Sequence, residues 1–202
     1  MRKTGFASFF AAVLFALAGQ AQAATFDFTP YGTENGQGIL ASNVLALPGG
    51  TFSNPDGRLF ARGPLMDGAI ILAPLGSICA LPQVGYNCKS NLLLEFDAPV
   101  SNFSVETFFF EFNDEVTITI FGALGELASQ VITSATVVNF GAISGITSVL
   151  FDDDSAQGKG FQYGNFSFDV SPVPLPAAAP LFAAGLGLIG FAARRRRLKA
   201  AA

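Results

Sequence analysis

Val116-Thr117-Ile118-Thr119-Ile120-Phe121-Gly122 is the stretch that decides the fold. Val116, Ile118 and Ile120 take one side, and Thr117, Thr119 and Phe121 take the other. Side chains of an extended chain alternate between faces, so this period of two predicts a strand. Gly122-Ala123-Leu124-Gly125 then reads as a turn into a second strand over Glu126 to Ile132.

Working outward, the same signal recurs. Val137 to Phe140, Ile146 to Phe151 and Phe161 to Val170 read as strands on the C-terminal side. Upstream, Ile70-Ile71-Leu72 and Leu92-Leu93-Leu94-Glu95-Phe96 are short apolar runs. Asn102 to Phe112 alternates through Phe103, Val105, Thr107, Phe109 and Glu111 against Phe108, Phe110 and Phe112, which predicts burial on both faces. Phe26-Asp27-Phe28 also alternates. Residues 30–68 are rich in Gly, Pro, Asn and Asp and read as loops with short strands. Short strands at spacings of roughly ten to fifteen residues predict an all-β fold, an antiparallel β-sandwich of jelly-roll-like order. The 22 phenylalanines, with no tryptophan, suit a core between two sheet faces.

Both ends differ from this body. Arg2 and Lys3 precede an apolar run from Phe6 to Ala18, and Ala21-Gln22-Ala23 places small residues at alternate positions. That is the pattern of a signal peptide over 1–23, cut after Ala23. At the other end, Val173-Pro174-Leu175-Pro176-Ala177 opens an uncharged stretch, 177–193, followed by Arg194, Arg195, Arg196 and Arg197. As a helix it spans roughly 25 Å, near the lower limit for a bilayer core. Gly185, Gly187 and Gly190 are tolerated there, and the arginines hold the C-terminus on the cytoplasmic side. The expected division is signal peptide 1–23, exported body 24–172 and a C-terminal segment 173–199 with a transmembrane helix.

This tail resembles the C-terminal sorting signal of bacterial PEP-CTERM proteins, in the form with Val-Pro-Leu-Pro-Ala. The matching residues are Val173 to Ala177, the helix ending Gly185-Leu186-Gly187-Leu188-Ile189-Gly190-Phe191, and the arginines. Leu175 stands where the commonest form has glutamate. The resemblance implies transient anchoring in the inner membrane, recognition by an exosortase and cleavage near the motif. It implies delivery to the cell surface or outside the cell. Separately, Leu94-Glu95-Phe96-Asp97-Ala98-Pro99-Val100-Ser101-Asn102-Phe103, the stretch from Val116 to Gly122, and Asn165-Phe166-Ser167-Phe168 resemble exported β-sandwich domains of the carbohydrate-binding kind. That likeness implies extracellular polysaccharide as a partner.

Charge and chemistry narrow the role of the body. Residues 24–172 hold four basic residues, Arg58, Arg62, Lys89 and Lys159, against all fifteen acidic ones, a balance of −11. Such a surface repels nucleic acid and anionic lipid. The chain has no histidine, which removes Ser–His–Asp and Cys–His catalysis. No phosphate loop or HExxH helix is present. The carboxylates of Glu95, Glu106, Glu111 and Glu115 form no recognisable pair. The reading is therefore no catalytic residues, no enzyme and no cofactor. Asp152, Asp153 and Asp154 form the one acidic run, a candidate calcium site or, more plainly, a solvated loop. Cys79 and Cys88 are expected to pair after export, pinning the turn-rich Ala80-Leu81-Pro82-Gln83-Val84-Gly85-Tyr86-Asn87. Asn102-Phe103-Ser104 and Asn165-Phe166-Ser167 match a glycosylation sequon by coincidence.

Overall fold

In the computed structural model, residues 22–31, 38–40, 42–55, 57–63, 65–67, 70–83, 87–108, 114–153 and 160–170 are described. The signal segment up to Ala21 and everything from Ser171 onward, including the expected membrane helix 177–193, lie outside them. Among the described residues no helix is long and apolar enough to cross a membrane.

Almost every described element is a strand. In chain order these are β1 (Gln22–Ala24), β2 (Gly38–Ile39), β3 (Val44–Leu47), β4 (Gly50–Ser53) and β5 (Gly57–Arg62). Then come β6 (Leu65–Asp67), β7 (Ile70–Ala73), β8 (Ser77–Pro82), β9 (Leu92–Phe108) and β10 (Val116–Gly122). The last are β11 (Gly125–Ile132), β12 (Val137–Asn139), β13 (Ser144–Asp153) and β14 (Gln162–Val170). A single 3₁₀ turn, Thr29–Tyr31, is the one described helical piece. Every named strand pairing is antiparallel.

Twelve strands form one continuous sheet, while β6 and β7 form a separate hairpin. The organiser is β9. Its first part, Leu92–Phe96, pairs with β13 on one side and β4 on the other. Its second part, from Val100, pairs with β14 on one side and, at Ser104–Glu106, with β12 on the other. The sequence read Leu92–Phe96 and Asn102–Phe112 as two runs, whereas one strand spans Leu92–Phe108. Pro99 is tolerated because it falls at an irregularity between the two sets of partners, where a missing ladder donor costs least. The expected two-faced burial of 102–112 holds in the described part only at Thr107 and Phe108, both buried; before them Phe103 and Val105 are buried on one face, whereas Ser104 and Glu106 on the other are half-exposed.

The main core draws on both parts of the sheet. Phe166 on β14 lies 5.4 Å, centroid to centroid, from Phe52 on β4 and 6.3 Å from Phe151 on β13. Val116, Ile118 and Ile120, the apolar face read from the sequence, are all fully buried in it. Thr119 on the opposite face shares a hydrogen bond of 3.0 Å with Ser129 of β11.

Candidate functional site

The sequence points to the ends of the body, and the described residues bring those ends together. Strand β1 pairs with the final residues of β14: Gln22 with Val170, Ala23 with Asp169 and Ala24 with Phe168. The chain thus enters the body at Gln22 beside the point where it leaves at Val170. Neighbouring strands lie about 4.8 Å apart, so the two peptide ends emerge side by side. The predicted cleavage bond, Ala23–Ala24, falls inside this strand.

Aromatic packing fixes the pairing in place. Phe26 and Phe28, just past β1, are 1% and 0% exposed. The Phe26 ring sits 4.9 Å from Phe52, 5.7 Å from Phe166 and 5.0 Å from Phe168. Gln22 and Ala23 are exposed by contrast, and Ala24 is half-buried. The grip is therefore strong on the C-terminal side of the predicted cut and rests on backbone pairing alone on its N-terminal side. Asp27 accepts hydrogen bonds from the Thr29 hydroxyl at 2.6 Å and the Thr29 amide at 2.9 Å. These donors hold its carboxyl below the ordinary aspartate value.

The exit strand is tied down by two reciprocal polar contacts. The Asn102 side-chain amide on β9 donates to the Asp169 carboxylate on β14. The Asn165 side-chain amide on β14 donates to the Glu106 carboxylate on β9 at 2.7 Å. Both asparagines have positive φ, 54° and 46°, in the left-handed region that Asn tolerates best among non-glycine residues. The two Asn-Phe-Ser tripeptides are thus structural: a left-handed Asn, then a buried Phe, then an outward Ser. Sequence reading noticed the repeated tripeptide but not this role, because the partners are distant in the chain.

The other predicted residues are distributed as follows. Cys79 and Cys88 form a disulfide with a Cα–Cα distance of 5.5 Å, within the usual span. Part of the loop expected between them is not loop, since Ala80–Pro82 belong to β8 and are paired with β5. Asp152 and Asp153 are consecutive residues of β13, opposite Thr117 and Val116, and successive residues of a strand point to opposite faces. Asp154 lies outside the described residues. The Asp153 carboxylate accepts from the Phe161 amide at 3.4 Å, and its own backbone amide donates to the Asn91 side-chain oxygen at 3.2 Å. Gly160, at φ +74°, bridges to Cys88. A Cβ there would fall 1.9 Å from the Cys88 carbonyl oxygen and 2.7 Å from Asp153 Oδ2. Asp153 therefore helps close the segment that follows it, next to the disulfide. Among the described residues no group of three or more His, Cys, Asp or Glu is placed to hold a metal ion. Burial, with Asp153 nearby, pushes the Tyr163 hydroxyl well above its ordinary value.

Ala21, Val173, Pro174, Leu175, Pro176, Ala177 and Arg194 to Arg197 lie outside the described residues. Comparison with known proteins speaks to them instead. Residues 172–197 match the family model of the PEP-CTERM protein-sorting motif, so the chain carries that motif at its C-terminus. The match begins one residue before Val173 and ends with the fourth arginine. No curated protein matches the chain. Among solved structures, one similar chain is a mutant of a family 29 carbohydrate-binding module complexed with mannohexaose. It is 13% identical and covers 75% of this chain and 93% of its own, at a TM-score of 0.24. A likeness that loose carries no argument.

Proposed function

We propose that this chain is an exported bacterial protein sorted by an exosortase. In this reading the signal peptide 1–23 directs export, the segment 177–193 holds the precursor in the inner membrane, and Arg194–Arg197 stop it from crossing. The exosortase then reads Val173–Ala177 and releases the body. The observation that carries this reading is the PEP-CTERM protein-sorting motif at residues 172–197. One feature supports it: the disulfide suits an oxidising compartment.

We assign the body a non-enzymatic structural or interaction role at the cell surface or in the extracellular polysaccharide matrix. The absence of histidine from the sequence supports this. We also read the long sheet as the two layers of a jelly-roll-like sandwich, with β9 passing from one layer to the other. The ring contacts from Phe166 to Phe52 and Phe151 favour that arrangement. A carbohydrate-binding role has less behind it. Sugar stacking needs exposed rings, and Tyr31 is the one aromatic among the large apolar side chains exposed in the described residues.

The test is to replace Pro174 and Pro176 with alanine in the host. The expected outcome is full-length precursor retained in the inner-membrane fraction. Processing at the wild-type rate overturns the assignment.

A further inference from the structure

We infer that the outer edge of β11 is an interaction surface for a second copy of this chain, the two β11 strands pairing antiparallel about a two-fold axis. The inference goes beyond the sorting role and does not depend on it. Charge is the first observation. The body carries a balance of −11, yet no charged residue occurs from Leu127 to Phe151. That stretch supplies most of β11, all of β12 and most of β13. Exposed apolar side chains gather in the same region. Leu124 at the β10–β11 turn, Leu127 and Val131 on β11, and Val137 on β12 are 104%, 42%, 60% and 61% exposed.

Topology leaves an open ladder at the same place. Among the described residues β11 ends the sheet and pairs with β10 alone. Every other described strand with a single partner has four residues or fewer, whereas β11 has eight. Short strands, lysines, prolines and bulges are the devices by which an edge avoids pairing with another chain. Strand β11 has no lysine and no proline. It carries one irregularity: Ile120 faces Ala128 and Phe121 faces Glu126, which leaves Leu127 as an extra residue. From Ala128 to Ile132 the register is unbroken, and this is the segment that can pair.

Symmetry and charge select the occupant. With the axis through Gln130, Ala128 of one copy faces Ile132 of the other, and Ser129 faces Val131. An interface of this kind is self-complementary and closes as a dimer. Ser129 and Val131 are both exposed, and the hydrogen bond from Ser129 to Thr119 marks their side as the outer face. The opposite strand then covers each Val131. Glu126 lies four residues from the axis, which sets its two copies roughly 27 Å apart. That exceeds the Debye length of about 8 Å at physiological salt. Two acidic bodies repel along most approaches, and the uncharged side is the one along which they can meet. Glu115 adjoins Val116, the partner of Ile132, so some acidic repulsion remains at the rim. Added salt screens it, and the pairing tightens as ionic strength rises.

The test uses the full chain purified from its host in mild detergent, with its mass in solution read by sedimentation at low and high salt. Wild type is expected as a dimer, with a larger dimer fraction at high salt. Ser129→Lys with Val131→Lys puts like charges directly opposite each other across the axis, at two exposed positions. This first variant is expected as a monomer that still unfolds cooperatively. Ser129→Glu with Val131→Lys puts opposite charges across the same pair. This second variant is expected to return to a dimer. Wild type found as a monomer, or holding a different chain, overturns the inference. A dimer fraction that falls with salt does the same. So does a dimer that persists in the first variant, since another surface then holds it. A second variant that stays monomeric also overturns the proposed pairing.

Discussion

Asn102 and Asn165 each do what few residues can. Each accepts a left-handed backbone inside a strand and sends its side-chain amide to a carboxylate on the neighbouring strand. The buried Phe that follows each is then aimed into the core. Tyr163 shows the opposite economy, a polar group placed where ionisation is unfavourable. It is 2% exposed, its ring is 4.3 Å from that of Phe151, and Asp153 opposes a second negative charge. The sign of the pH dependence follows. An unfolded tyrosine releases its proton near pH 10, while the folded one keeps it. The stability from neutral Tyr163 is complete below about pH 10 and is lost as pH rises above it, by up to about 1.4 kcal/mol per pH unit. Urea unfolding of the body above pH 10 should therefore show a shallower decline for Tyr163→Phe than for wild type. Equal slopes contradict this account.

At the level of elements, the disulfide joins Cys79 within β8 to Cys88, which bridges Gly160. Closing so short a loop restricts the unfolded chain by about 2.5 kcal/mol on the chain-entropy model. Reduction, or replacement of both cysteines by alanine, should lower the urea midpoint by a corresponding amount without changing its slope. An unchanged midpoint means the bridge stabilises nothing. The pattern of legible and illegible elements also has physical causes. Strand β10 was visible because Val116, Ile118 and Ile120 are buried in the core while Thr117 and Phe121 are not, which writes a period of two. Strand β8 was not, because Ile78, Cys79, Ala80 and Leu81 are all buried, which leaves no alternation to see. The β3–β4 hairpin was hidden among Gly, Pro and Asn that also read as loop. Strand β1 was invisible for a different reason. Gln22-Ala23-Ala24 has little strand propensity, and it is a strand only because the end of β14 lies beside it. The cysteine pairing and the terminal motif, by contrast, were readable locally, since spacing and order carry them.

For the whole molecule, the acidic body and the basic tail divide the labour. Residues 24–172 carry a balance of −11, whereas the four consecutive arginines stand past the apolar stretch. Such a charge keeps a body dispersed and away from anionic surfaces. In the proposed sorting reading the tail does the reverse, holding the precursor at a membrane until it is cut. Pairing of β1 with β14 puts Gln22 beside Val170 within the body. The most direct measurement is intact mass spectrometry of the protein recovered from its host. The predicted mass is that of a chain beginning at Ala24, holding one Cys79–Cys88 disulfide and ending near Val173–Ala177 without the arginines. A mass running from Met1 to Ala202, recovered from the cytosol, contradicts the account.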